Sequence, residues 1–143
     1  MSQRKLYVGL DLRDDVTQIA VWGPSQAGPE VLEVKGADGE DTAYIETAVT
    51  VPGSEEKVSG FLHRIARQEP VYVGGRESDP VNILAAFLRR TLSLTKKKYP
   101  RESIKKLVVS AEYEDYWFIS VVFRALEKLG IDKDRALVVD RRQ

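Results

Sequence analysis

A chain of 143 residues with 43% apolar and 31% charged side chains has the size and balance of one ordinary globular domain, large enough to bury a core. Its 22 basic and 22 acidic side chains cancel, which argues against a dedicated nucleic-acid binder. There is no cysteine and a single histidine, His63, so disulfides, thiol nucleophiles, cysteine-based metal sites and histidine-rich metal sites are excluded.

The first residues, MSQRKLYVGLDL, hold no apolar stretch followed by a small-residue cleavage site, and no apolar run approaches the roughly 20 residues that span a bilayer. A cytoplasmic protein is expected. Residues 6–12 and 16–22 are rich in β-branched and aromatic side chains and flank a short polar turn, the pattern of a hairpin. Residues 23–29, GPSQAGP, form a second turn, and 30–35 alternate as a third strand. Residues 36–42 are polar and acidic, hence loop, and 44–51 form a further strand closed by Pro52-Gly53.

Ser54 then offers a helix N-cap with Glu55 and Glu56 behind it, and Val58, Leu62 and Ile65 recur at helical spacing, which predicts a helix over 54–68. His63 is placed at the surface of that helix. A brief strand over 71–74 runs into Gly75. Asp79-Pro80 is a carboxylate cap followed by proline at the first helical position. Val81, Leu84, Ala85, Leu88 and Leu92 mark the buried face of the helix it starts. Lys96, Lys97 and Lys98 suit the C-terminal end of that helix, and Pro100 ends it. That lysine cluster with Tyr99 and Arg101 reads as a solvated helix end. Residues 107–111 form an apolar strand, Asp115 opens a helix that Gly130 stops, and 136–140 form the last strand. The aromatic group Tyr113, Tyr116, Trp117 and Phe118 reads mostly as core.

Three or four meandering strands followed by helix, strand, helix and strand predict one α/β domain over residues 1–143. Its late strand–helix–strand unit should be a parallel crossover. A mixed sheet with helices packed on it is the expected architecture.

This order resembles the ribonuclease-H-like fold, an antiparallel three-stranded meander followed by parallel strands, which also forms each half of the actin, sugar-kinase and heat-shock ATPase superfamily. Val8-Gly9-Leu10-Asp11-Leu12 resembles the opening phosphate motif of the seventy-kilodalton heat-shock chaperones. Residues 83–99 resemble the helix before the family's Val-Pro-Ala-Tyr strand. Leu107-Val108-Val109-Ser110-Ala111-Glu112-Tyr113 resembles that strand, with Ala111 where the family has proline. The Gly130-Ile131 connection to Ala136-Leu137-Val138-Val139 is similar in length to the family's next step.

The resemblance implies a first turn that grips phosphate and an acid that helps hold a hydrated Mg²⁺. Asp11 stands at the acidic position, and the phosphate loop falls on Asp11, Leu12, Arg13, Asp14 and Asp15. Arg13 replaces the family's glycine, which lets the backbone approach the anion, and Asp14 and Asp15 replace its hydroxyls. Two carboxylates repel a polyphosphate unless a metal lies between them. The family's catalytic lysine falls on Ser78, with Arg76 two residues earlier, and Arg is a poor substitute for a compact point charge.

The second phosphate motif and the adenosine motif have no counterpart. The expectation is therefore a degenerate lobe with no cofactor of its own, which takes ATP and Mg²⁺ only beside a second lobe. It acts as an interaction or scaffold module toward the rest of a longer parent chain, a second copy of itself, or another protein, and not toward nucleic acid or membrane. The end, Asp140-Arg141-Arg142-Gln143, carries no capping element, as the N-terminal part of a longer protein would. A competing expectation is a Mg²⁺-dependent nuclease with Asp11, Glu112, Glu114 and Asp140 gathered at strand ends.

Overall fold

The computed structural model describes residues 5–23, 28–113 and 115–140, and of Asp140 the backbone alone. The alternation in KLYVGLDL puts Leu6, Val8, Leu10 and Leu12 on one side of β1 (Lys5–Leu12), where all four are buried. β2 (Val16–Trp22) returns antiparallel and buries Thr17, Ile19 and Val21 on that same side. Two short segments, β3 (Glu30–Val31) and β6 (Ile45–Glu46), pair antiparallel with β2. On the other side of β1 lie β11 (Ser103–Ala111), parallel to it, and β12 (Ala136–Asp140), parallel to β11. The sheet order is β12-β11-β1-β2-β3, with β6 joined to β2. Between Leu6 and Tyr7 the register on β11 moves from Ile104 to Lys106, so Lys105 is a bulged residue.

Among the described residues three helices supply the cover. α1 (Phe61–Ala66) is short, α2 (Pro80–Lys98) is the longest, and α3 (Tyr116–Lys128) bridges β11 to β12. α2 begins as its sequence predicts: an Asp79 carboxylate oxygen accepts the Val81 N–H at 2.7 Å, with Pro80 behind it. The five residues expected on its inner face are all buried, together with Phe87, which meets Phe61 edge-on at 6.0 Å between ring centres. Two hydroxyls in that interface, Thr91 and Thr95, donate to the carbonyls of Phe87 and Leu92, so burial leaves neither unsatisfied. α3 buries Phe118, Val121, Val122, Ala125 and Leu126, each of the larger four worth roughly 1.5–3 kcal/mol by the area removed from water. Of the aromatic group, Phe118 is core, Tyr113 and Trp117 pack against it, and Tyr116 is exposed. None of the described helices is long and apolar enough to cross a membrane.

The middle of the chain differs from its sequence pattern. No helix runs over 54–68. Ser54 Oγ accepts the Glu56 N–H at 3.0 Å in a local turn, and Gly53 takes φ +76°. The chain then closes a hairpin between β7 (Ala48–Thr50) and β8 (Lys57–Ser59), in which Val58 pairs with Val49. Only after Gly60, at φ +71°, does α1 start. The expected strand over 30–35 also divides: after β3, Leu32 donates to the Ile19 carbonyl and enters the core. β4 (Val34–Lys35) then turns away to pair with β5 (Asp41–Thr42), inside what reads as loop. The strand over 44–51 divides at buried Thr47, whose hydroxyl bonds to that of Thr17 at 2.7 Å. Gly74 and Gly75, at φ +62° and +79°, close a tight hairpin from β9 (Val71–Val73) to β10 (Arg76–Ser78), a second strand the sequence does not announce. The turn expected over residues 23–29 lies mostly outside the described residues, as do Glu114 and residues 141–143.

Candidate functional site

The C-terminal ends of the parallel strands β1 and β11 meet the N-terminus of α1, the kind of place where open α/β sheets assemble sites. Leu12 is buried in the core and offers this region nothing but packing. Asp11 is half-buried and faces the opposite side of the sheet, across from Gln18 on β2 and Ser110 on β11. Arg13 and Asp14 are half-buried and Asp15 is exposed.

The turn carboxylates are committed to the chain's own donors. Asp15 Oδ1 accepts the Val16 N–H at 2.8 Å, closing the turn on itself. Asp14 Oδ1 accepts the N–H of His63, the third residue of α1, at 2.9 Å. Gly60 at the helix N-cap has no side chain to do this, so Asp14 supplies the cap from 49 positions away. Asp14 Oδ2 accepts the hydroxyl of Tyr113, just past the end of β11. One carboxylate thereby clasps the first hairpin, α1 and the β11–α3 connection.

Tyr113 stacks obliquely on Phe118 at 5.2 Å and lies 6.4 Å from the exposed His63 ring. Burial pushes its hydroxyl well above the usual phenol range, and the bond to Asp14 and the nearby carboxylate charge push it further. It is a neutral donor and not a titrating acid–base group at physiological pH.

The remaining expected residues make none of the clasp's hydrogen bonds. Ser78 is half-buried at the end of β10 and donates to the Arg76 carbonyl at 3.3 Å, while Arg76 is exposed in the same separate two-stranded sheet. Glu112 is half-buried after β11, whereas Glu114 and the Asp140 side chain fall outside the described residues. Among the described residues, no three acidic or histidine side chains come together as a metal site would require, and Asp11 joins no such group. Within the lysine cluster, Lys98 pairs with Glu30, whose other oxygen accepts the Tyr99 hydroxyl at 2.8 Å. That cluster's end ties α2 to β3.

A second feature had no signal in the motifs. The side of the main sheet away from the helices carries Tyr7, Gly9 and Asp11 of β1, Gln18, Ala20 and Trp22 of β2, and Val108 and Ser110 of β11. Leu137 and Val139 pair with those two β11 residues and extend this face onto β12. Among the described residues no helix covers it. Trp22 and Val31, toward the β3 edge of this face, are 36% and 46% exposed, and Leu137 and Val139, on the β12 edge, are 56% and 37% exposed, so apolar side chains lie bare at both edges of the face. Trp22 stacks on Tyr7 at 5.9 Å with planes 14° apart, and Lys105 Nζ lies 5.9 Å from the centre of the Tyr7 ring. The alternation of strand residues could have revealed this face, had the β12 positions been read with it.

Fold and site together define a mixed α/β domain with one covered and one open sheet face, and with a carboxylate clasp where its first turn meets α1. Residues 43–143 match the C-terminal family of unknown function DUF5716, and the chain belongs to that family. No curated protein matches the sequence. The matched stretch holds His63 and Tyr113, while Asp14 lies before it, so the clasp ties the first hairpin to the family's domain.

Proposed function

We propose that the chain is a cytoplasmic lobe of the ribonuclease-H-like, heat-shock-chaperone kind that has lost nucleotide hydrolysis and acts as an interaction module. The order β3-β2-β1-β11-β12, antiparallel on one side of β1 and parallel on the other, supports the likeness carried by residues 8–12 and 107–113. ATP with Mg²⁺ does not fit the β1–β2 turn. The N–H groups of Val16 and His63, which could otherwise face an anion, already donate to Asp15 and Asp14. A polyphosphate would have to displace two built-in carboxylates and sit beside their charge. Isothermal titration with ATP and Mg²⁺ is expected to give no heat of binding, and micromolar affinity would overturn the loss of function.

The open sheet face carries the interaction reading, and its occupant on this reading is a second copy of the chain. The face is dipolar along its strands: Lys5 and Lys105 stand at one end of β1 and β11, Asp11 at the other. A two-fold axis perpendicular to the strands would lay each basic end over the partner's Asp11, the isologous arrangement common among homodimers. Burying the four exposed apolar side chains is worth several kcal/mol gross, against an association cost of at least about 4 kcal/mol, so a weak dimer is expected. Sedimentation equilibrium should show dimers at high micromolar concentration. A strictly monomeric chain at about 1 mM would rule out the second copy.

A further inference from the structure

A trough of about 530 Å³ opens at the opposite end of the fold from the clasp, where the C-terminal halves of α2 and α3 meet the start of β11. Its floor is apolar: Leu92 and Ile131 are buried, and Ile104 and Leu129 are partly so. Its walls carry four cationic side chains, Arg89, Lys96, Lys128 and Arg135, against one carboxylate, Glu102. Arg135 also pairs with Asp132 at 4.0 Å, so in a chain of zero formal net charge this is a local excess of about two positive charges.

The bland account is helix-end chemistry, since lysines favour helix C-termini. Two helix ends present about −0.5 charge each, which Lys96 and Lys128 already balance. Arg89 stands well before the last turn of α2, in a helix that ends at Lys98, so the dipole does not account for it. Arg135 has a different task. It donates to the Ile104 carbonyl at 3.1 Å and to the Gly130 carbonyl, fixing the wall where α3 ends. Arg89, Lys96 and Lys128 are exposed, and among the described residues none of them forms an ion pair.

The spacing of the charges selects the ligand. Arg89 and Lys96 lie seven residues apart on one face of α2, about 10 Å along the axis, with Leu92 between them. A single phosphate needs converging donors, whereas this row suits anions that are themselves separated. Among the described residues no aromatic side chain lines the trough, so none of them would stack a nucleic-acid base. We infer that the trough docks an acidic peptide segment of a partner protein, with apolar side chains on the Leu92–Ile104–Leu129 floor and its Asp or Glu residues against Arg89, Lys96 and Lys128. This inference goes beyond the lobe reading above and does not depend on it.

Fluorescence anisotropy with a short fluorescein-labelled peptide of Asp, Glu and Leu tests it. Saturable binding at about 0.1 M salt is expected, weakened about tenfold or more by Arg89→Glu with Lys128→Glu. The same double variant should gain affinity for a Lys–Leu peptide, a rescue that misfolding would not produce. Circular dichroism of the variant should match that of the parent chain. Equal binding of a peptide with every Leu replaced by Ser, or of heparin or single-stranded DNA, would overturn the assignment in favour of unspecific charge attraction. So would undiminished peptide binding by the double variant, or no binding by the parent chain.

Discussion

The Asp14 carboxylate accepts the backbone N–H of His63 at 2.9 Å, across 49 positions of sequence, and so caps a helix whose own N-cap residue is glycine. Its second oxygen takes the Tyr113 hydroxyl, which makes one side chain the meeting point of three segments. What resembles a phosphate loop in sequence serves here as a fastening.

Asp14→Ala removes both bonds and leaves the Tyr113 hydroxyl partly buried without its acceptor. Losing a helix cap costs about 1 kcal/mol and stranding a buried donor about 1–3 kcal/mol. A drop of about 2–3 kcal/mol is expected in urea unfolding, with Asp14→Asn losing less because it keeps an acceptor. In a double-mutant cycle with Tyr113→Phe the two losses should be strongly non-additive. Additive losses would show that the hydroxyl contact contributes nothing.

Alkaline pH should act through the same pair. The Tyr113 hydroxyl is raised in the folded state above its ordinary value of 10.0, by burial first and then by Asp14. A raised group contributes stability that is fully present below the unfolded value and is lost as pH rises from there through the folded one. Unfolding free energy should therefore hold steady up to about pH 9 and fall above pH 10. Tyr113→Phe should flatten that fall, and tyrosinate absorbance should show one phenol resisting ionisation until the chain unfolds.

How much of this was legible beforehand depends on sequence distance. Asp79-Pro80 and the inner face of α2 were readable because cap and periodicity are local. The first hairpin, the 107–111 strand and the final crossover were readable for the same reason. The helix expected from Ser54 was not formed, because Val58 fits helical spacing and strand pairing equally well, and the Val49 partner decided the matter. The clasp was invisible, since nothing near Asp14 in sequence announces His63 or Tyr113, the latter 99 positions away. The basic trough was equally hidden, because Arg89, Lys128 and Arg135 come from separate segments that only packing brings together.

Gly74 and Gly75 separate strain from crowding. Both have positive φ, so alanine at either costs about 1–2 kcal/mol. A Cβ on Gly74 would also meet Val51 Cγ1 at 3.2 Å, whereas one on Gly75 meets nothing within 4 Å. Thermal unfolding should therefore rank Gly74→Ala below Gly75→Ala, and Val51→Ala should narrow the gap. An identical loss at both positions would mean that the hairpin shifts freely off Val51.

Glu30 joins the end of α2 to the edge of the sheet through Lys98 and Tyr99. The Lys98 bond, and then that of Tyr99, hold its carboxyl below the ordinary value of 4.5. A depressed carboxyl contributes stability that is present above the unfolded value and is lost as pH falls through the folded one. Both ends of the ion pair are partly exposed, so the effect is small, within about 1 kcal/mol and weaker in salt. Glu30→Gln should lower stability slightly at pH 7 and leave it unchanged below about pH 3, compared by urea midpoints at both values.

Trp22 offers the sharpest test of the open face, because its ring contributes to both candidate roles there. If the Tyr7 stack served only the fold, Trp22→Glu would cost about 1 kcal/mol of stability and change nothing else. If the face meets a second copy, the same substitution removes an exposed ring from the contact and sets a carboxylate at the basic end, against the partner's Asp11. Leu137→Glu, on β12 and making no ring contact with Tyr7, should weaken the contact as well. The two variants are then expected to stay folded, with stability within about 1 kcal/mol of the parent, and to shift sedimentation equilibrium toward monomer by tenfold or more in dissociation constant. The two readings separate on Leu137: a role confined to the Tyr7 stack leaves association untouched by a substitution two strands from β1, whereas a face used as a whole does not.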